Sequence, residues 1–258
     1  MPFTLAHPAA VMPLRRLKYL PAPALVIGSM APDIPYYFPT RFDLAIGDTH
    51  SLFGSVVRDI PMGMVVLALV LVLRGPLTAL MTERARWVSK READRFTSSS
   101  LNWLLAIPAL LIGTWTHILW DGFTHPGTWL ARRVDVLSAP VNLFGVYTGV
   151  VSHVLQYVSS VVGLAVIVYW YTLVAAESPP EVNNASDRSL ARWVLLALVG
   201  AAAIGMGALT VFKVHHGLLS VYRLFYLLLT RTVAWFMLLY VVVGAVAMWT
   251  RRPQQLQA

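Results

Sequence analysis

His117, Asp121 and His125 stand at i, i+4 and i+8 in the stretch THILWDGFTH, residues 116–125. On an α-helix this spacing puts His117 and Asp121 on one face, about 6 Å apart along the axis. Both can then reach one cation, and neutral imidazole and carboxylate are the ligands of zinc, manganese or iron. His125 continues the face while the helix lasts; Gly122 and Pro126 mark its end. An apolar run, LNWLLAIPALLIGTW, leads directly into these residues. A carboxylate costs roughly 3 kcal/mol at the centre of a membrane helix and less near the interface. Pairing with a cation offsets that cost.

Three further residues have the same character. His7 lies in TLAHPAAVM, a short apolar helix broken at Pro8. Asp33 lies in GSMAPDIPYY, where the flanking prolines are expected to hold the backbone extended and limit where the carboxylate points. His50 lies in GDTHSLFGS, where Thr49 or Asp48 is expected to cap a helix. Asp59, nine residues on, falls roughly on the same side and is a candidate acceptor for a histidine N–H. His153, Gln156 and Ser160 share a helical face in SHVLQYVSS. There His153 is a candidate seventh ligand, a substrate hydrogen-bonder or a polar link between helices, with the last two preferred.

The elements that must position these residues follow from composition. The 258 residues are 57% hydrophobic and 12% charged, with a mean hydropathy of +0.65. A soluble domain carries about twice that charge. The apolar residues also gather into runs of the roughly 20 residues that a membrane helix needs. The fold class expected is all-α, a polytopic membrane protein of about five spans: within Leu52–Leu80, Leu101 to Trp120, Val150–Val174, Trp193–Phe212 and Thr232–Trp249. Ala22–Met30 is too short to span and reads as a re-entrant or interfacial helix. Leu218–Leu229 is a further interfacial helix or an early part of the fifth span. Residues 1–174 form a metal-site domain, 175–190 a polar loop and 191–258 a two-helix hydrophobic scaffold. GAAAIGMG, residues 200–207, suits close helix packing.

This topology bears on the chemistry. His7, Asp33 and His50 precede the first span, His117 and Asp121 end the second, and His125 follows it. Two crossings return the chain to its starting side, so all six fall at one membrane face. One span more or fewer between His50 and His117 would divide them across the bilayer.

Charge and cysteine content exclude other classes. The formal charge is +8 with pI near 10.0, but the basic residues are scattered among apolar runs, without the basic stripe of a nucleic-acid binder. They read as topology and head-group anchors, Arg15, Arg16 and Lys18 among them. Trp115, Trp120, Trp129 and Tyr157 fit an interfacial aromatic belt. There are no cysteines, so a metal must use His, Asp and Glu. The first twenty residues lack the order of a signal peptide, since the basic cluster follows the apolar part. His215-His216 and Arg132-Arg133 read as exposed loop residues.

Each site residue also has a plain reading. A lone His at a helix end is commonly an interfacial hydrogen-bonder, and Asp33, Asp48 and Asp59 suit turns or caps. What favours a metal is the six together on one face.

LAHPAA, GSMAPDIP, THS before the first span, and THILWD followed by TH resemble the DUF4184 family of bacterial membrane proteins. That family is similar to the wider YdjM-type group, described as LexA-binding, inner-membrane metal-dependent hydrolases. The resemblance covers roughly residues 1–165 and implies a metal site at His7, Asp33, His50, His117 and Asp121. His125, and with it Asp59 and the stretch after His153, match the narrower family. Where the wider group often has a second acid after its P-D segment, this chain has Pro35-Tyr36, a departure that weighs against two metals. The last two spans have no counterpart that the resemblance places.

Three functions compete. The first is a membrane-bound metal-dependent hydrolase, with zinc first and manganese or iron as alternatives. Asp33 or Asp121 would be the catalytic carboxylate, and the substrate a lipid or phosphoester at the interface. The second is a non-catalytic membrane protein whose structural metal site is coordinatively closed and which binds a lipid or protein partner. The third is a transporter, which would spread polar residues through the membrane. Membrane lipids are expected partners and nucleic acid is not. The densest basic stretch, Arg74 to Arg95, is expected in the cytoplasm, which puts the site on the extracytoplasmic face of the bacterial inner membrane.

Overall fold

The computed structural model describes residues 4–17, 19–38, 48–145, 147–179, 190–214 and 219–255. His215, His216, Lys18 and most of the polar loop at 175–190 lie outside the described residues. Among those described the chain is helical apart from one hairpin. It begins with α1 (Pro8–Val11) between two 3-10 turns, Thr4–Ala6 and Met12–Arg16, then α2 (Ala22–Gly28) and a third turn, Ala31–Tyr37. Then follow α3 (Leu52–Val72), α4 (Arg74–Ala79), α5 (Glu83–Thr97), α6 (Leu101–Thr124) and α7 (Asp135–Ser138). Strands β1 (Pro140–Leu143) and β2 (Tyr147–Val150) pair antiparallel, and α8 (Val151–Ala175), α9 (Leu190–Val214) and α10 (Val221–Gln255) complete the chain.

Five helical stretches are long and apolar enough to cross a membrane: α3, α6, α8, α9 and Arg223–Thr250 of α10. They are the five spans expected from the sequence, with sharper limits. α3 runs through Arg58, Asp59 and Pro61 without a break. Its stretch Ser55–Asp59 is π-helical, and this wider winding directly precedes Pro61, which cannot complete an ordinary helical bond. Val221–Gln255 is one helix, so residues 221–229 are the start of the fifth span. The polar connection after α4 is itself helical. The end of α5 is satisfied by Asn102, whose side-chain amide donates to Arg95 O at 3.1 Å and Phe96 O at 2.8 Å.

Two expectations about local backbone are corrected. Asp33 is not extended but sits in the 3-10 turn Ala31–Tyr37, because the φ that proline imposes suits a 3-10 turn equally well. The cap of α3 is Ser51, whose hydroxyl accepts from Gly54 N at 2.9 Å. Asp48 instead accepts the backbone N–H of His50 at 2.9 Å, and Thr49 donates to Pro32 O at 2.8 Å.

The chain forms two compact units. One comprises Met1–Asp33, Ile46–Leu67 and Glu92–Glu177. In it α2 packs along the middle of α6. Contact there depends on two reciprocal glycines: a Cβ on Gly28 would fall 2.3 Å from Leu110 O, and one on Gly113 2.4 Å from Leu25 O. Ala6 presses on Gly163 of α8 in the same way, where a Cβ would fall 2.9 Å from Ala6 O. The N-terminal segment is thus seated against α6 and α8, which sets the positions of Thr4 and His7.

The other unit comprises Ile34–Ala45, Ala68–Arg91 and Ser178–Ala258. Its α9 and α10 pack closely at Gly207, where a Cβ would meet Thr232 Oγ1 at 2.6 Å, and Trp235 Nε1 donates to Thr210 Oγ1 at 2.9 Å. Among the described residues, Gly200 and Gly205 of the GAAAIGMG run have no neighbour within 4 Å of a Cβ. Arg231 donates to Phe38 O at 2.6 Å.

The glycine crossing can be tested directly. Gly113→Leu drives a side chain into the backbone of α2, and overpacking of this kind costs about 1–3 kcal/mol or more. Its thermal unfolding midpoint in detergent should fall clearly below that of the native chain. Gly205→Leu, exposed and without neighbours, should leave the midpoint unchanged.

Candidate metal centre

The site forms at one end of the first unit, where the residues before α3 meet the C-terminal end of α6. Asp33, His50, His117 and Asp121 come together, each offering a ligand atom, with all four atoms within 4.8 Å of one another. This cluster can hold a divalent cation. His117 Nε2 lies 3.4 Å from Asp121 Oδ2 and 3.6 Å from Asp33 Oδ1; His50 Nε2 lies 3.5 Å and 3.6 Å from the same two oxygens. These separations are too long for good hydrogen bonds. They are close to the edge of a ligand tetrahedron, which is about 3.4 Å when metal–ligand bonds are about 2.0–2.1 Å.

The surroundings aim the ligands. His117 Nδ1–H donates to Ser29 O at 2.8 Å, which leaves the Nε2 lone pair facing the carboxylates. The single hydroxyl proton of Thr49 goes to Pro32 O, so Thr49 Oγ1 accepts from His50 Nδ1 at 3.2 Å, and Nε2 is the nitrogen that faces the two carboxylates. Thr4 Oγ1 donates to Asp33 Oδ2 at 2.6 Å, turning Oδ1 to the centre. A second hydrogen bond on the far nitrogen or oxygen is how metal ligands are generally held. His117 Nε2 and Asp33 Oδ1 are buried and make no hydrogen bond among the described residues. Buried polar atoms are rarely left so, and a cation satisfies both at once.

Burial and charge act in opposite directions on these groups. Burial opposes a charge on Asp33, but the adjacent imidazoles of His117 and His50 override it and hold the carboxyl well below its usual range. Burial also opposes a charge on His50, yet the nearby carboxylates of Asp121 and Asp33 raise it to about 9. His7 is lowered to about 3, first by burial and then by His117, so it is a neutral imidazole at pH 7. Burial likewise lowers His125. The side chains of His50 and His125 are 26% and 23% exposed, against 0% for His117, so the cluster opens to its surroundings on their side.

The other sequence candidates fall around this cluster. His7 stacks on His117, ring centroids 3.7 Å apart and planes 20° from parallel, and its Nε2 lies 3.5 Å from Asp121 Oδ1. His125 ends α6, its backbone N–H on Asp121 O, and its Nδ1 lies 3.5 Å from Asp121 Oδ1. Asp59 is buried, and neither carboxylate oxygen makes a hydrogen bond among the described residues; it does not accept a histidine N–H. His153 Nδ1 is 2.7 Å from Tyr147 Oη, and the ring lies against Tyr157. It ties β2 to α8. Gln156 is buried one turn further on. Arg132 and Arg133 are exposed.

Three contributors were not apparent in the sequence. Thr4 and Thr49 are unremarkable threonines until the fold brings them beside Asp33 and His50, and Ser29 acts through its backbone oxygen. The only sequence signal is proximity: Thr4 lies one turn before His7, and Thr49 precedes His50.

No curated protein and no solved structure matches the chain. One family model does, described as a domain of unknown function, DUF4184, over residues 1–249. That match extends well past residue 165 and takes in the last two spans. The protein therefore belongs to the DUF4184 family.

Proposed function

We propose that this protein is a membrane-bound, metal-dependent hydrolase that acts at the membrane interface on a lipid or another amphiphilic phosphoester. The observation that carries the reading is the pair of buried ligand atoms, His117 Nε2 and Asp33 Oδ1, which make no hydrogen bond among the described residues, in a cluster that other residues aim and that opens beside His50 and His125. Zinc is the first choice of ion and manganese or iron the alternatives, since all accept imidazole and carboxylate. When bound there, such an ion supplies Lewis acidity and brings the pKa of a coordinated water toward 7. The chain's part is to keep Asp33, His50, His117 and Asp121 in register through Thr4, Thr49 and Ser29, and to admit substrate past His50 and His125. The likeness of its motifs to the YdjM-type hydrolases supports the same direction.

A second reading rests on ligand number. Four protein ligands complete a tetrahedral shell, as in structural sites, and the protein would then bind a lipid or protein partner without catalysis. The exposure of His50 and His125 favours the open, catalytic alternative.

The dense basic residues from Arg74 to Arg95 support a cytoplasmic location for that stretch and an extracytoplasmic location for the site in a bacterial inner membrane. A fluorescent protein fused after Ala258 should then fluoresce in bacterial cells, while alkaline phosphatase fused there stays inactive. The reverse pattern overturns the assignment.

Untagged protein purified in detergent should carry at least one divalent ion per chain by elemental mass spectrometry. Asp33→Ala and His117→Ala should lose it, and His153→Ala should keep it; equal metal in all four proteins contradicts the site. Thr4→Val removes no ligand, and should weaken metal affinity about 10–100-fold. A proton must leave His50 before it can ligate, so affinity should rise with pH and level off above about 9. Calorimetric titrations across pH 6–10 would show this. Hydrolysis of a panel of ester and phosphoester lipids, abolished in Asp33→Ala, separates catalysis from a structural role.

A further inference from the structure

The two oxygens of Asp121 face different partners. Oδ2 lies 3.4 Å from His117 Nε2 and 3.5 Å from His50 Nε2; Oδ1 lies 3.5 Å from both His7 Nε2 and His125 Nδ1. A metal bound to an imidazole sits in the plane of the ring, along the nitrogen lone pair. His7 and His117 are stacked with centroids 3.7 Å apart and planes only 20° from parallel. An ion in the plane of one ring therefore lies well out of the plane of the other. The two histidines do not converge on one ion. They address two positions, side by side at about the ring separation, and about 3.5–4 Å is the spacing of ions in two-metal hydrolytic sites.

We infer that the protein binds a second divalent cation, held by His7, His125 and Asp121 Oδ1, with the Asp121 carboxylate bridging it to the first. His7 is buried, and neither of its ring nitrogens makes a hydrogen bond among the described residues. A neutral histidine enclosed in this way forfeits its polar interactions unless something ligates it. His125 Nδ1 has one further contact, Thr124 Oγ1 at 3.4 Å, at the outer limit of a hydrogen bond, so it remains available as a ligand. The first position has four protein ligands and the second has three. The second is thus the one that keeps an open coordination position, the mark of a catalytic rather than a structural site. It also lies beside the exposed edge of His125. Pro35-Tyr36 stand where a second acid would supply another ligand, and the bridging use of Asp121 makes that acid unnecessary.

The inference rests on the first ion being held as proposed above, and the test separates the two. Untagged full-length protein is purified in detergent and stripped with chelator. It is reloaded with manganese, passed through a desalting column, and measured by elemental mass spectrometry and by electron paramagnetic resonance. Two manganese ions per chain are expected, with the spectrum of an exchange-coupled pair. His7→Ala and His125→Ala should each retain one ion and show an uncoupled, single-ion spectrum. His125 is partly exposed, so its variant keeps the fold even if His7→Ala does not, and His7→Gln is a second variant at the buried position. One uncoupled ion per chain in the native protein, unchanged in His125→Ala and His7→Gln, overturns the second site and leaves the first intact. No ion in the native protein overturns both.

Discussion

Two carboxylates buried at the end of an apolar bundle are the constraint around which the first unit is organised. Asp33 and Asp121 are almost wholly enclosed. An uncompensated charge there is strongly unfavourable. Everything near them acts to compensate it. Three histidines approach Asp121, counting His7, His50 and His117, and His125 makes a fourth. Thr4 satisfies the outer oxygen of Asp33. What remains is a convergence of imidazole nitrogens and carboxylate oxygens on one point, the donor set that a divalent cation takes. Without an ion the same groups retain a proton on His50, raised to about 9 by the same carboxylates. The proton and the metal thus compete for one position.

Close packing makes this arrangement possible. The ligands come from four separate segments: the first turn, the stretch after α2, the entry to α3 and the end of α6. They can meet only if the N-terminal helices lie directly on the spans. Gly28 and Gly113 let the backbones of α2 and α6 touch, and Gly163 admits Ala6 to α8. The same contact that brings α2 onto α6 delivers Ser29 O to His117 Nδ1. Scaffold and ligand orientation are therefore one structural event, as small residues at helix crossings commonly allow.

Much of this was legible in the sequence, for physical reasons. The spans follow from runs of apolar residues, and the shared face of the six His and Asp residues follows from counting two crossings between His50 and His117. The i, i+4 spacing correctly put His117 and Asp121 on one face. What the sequence did not disclose depends on tertiary contact. That Thr4 would hold Asp33, that a backbone carbonyl would fix the tautomer of His117, and that His7 would stack on His117 all require knowing how α2 and the first turn dock. The β1–β2 hairpin is not evident in the sequence, because its strands are four residues each and Phe144-Gly145-Val146 between them lacks the Asn-Gly or Asp-Gly signal of a tight hairpin. The extended backbone expected for Asp33 was wrong because proline's fixed φ serves turn and extended chain alike. A cap by Thr49 or Asp48 was displaced by Ser51, because those two residues are engaged with Pro32 and His50.

The central claim is that the His and Asp side chains of this cluster bind a divalent cation directly. X-ray absorption at the zinc edge of untagged, zinc-loaded protein tests it most directly. The account predicts a shell of nitrogen and oxygen only, at about 2.0–2.1 Å, with the outer-shell scattering of at least two imidazoles that is lost in part in His50→Ala. A spectrum of hydrated zinc without imidazole scattering would contradict it.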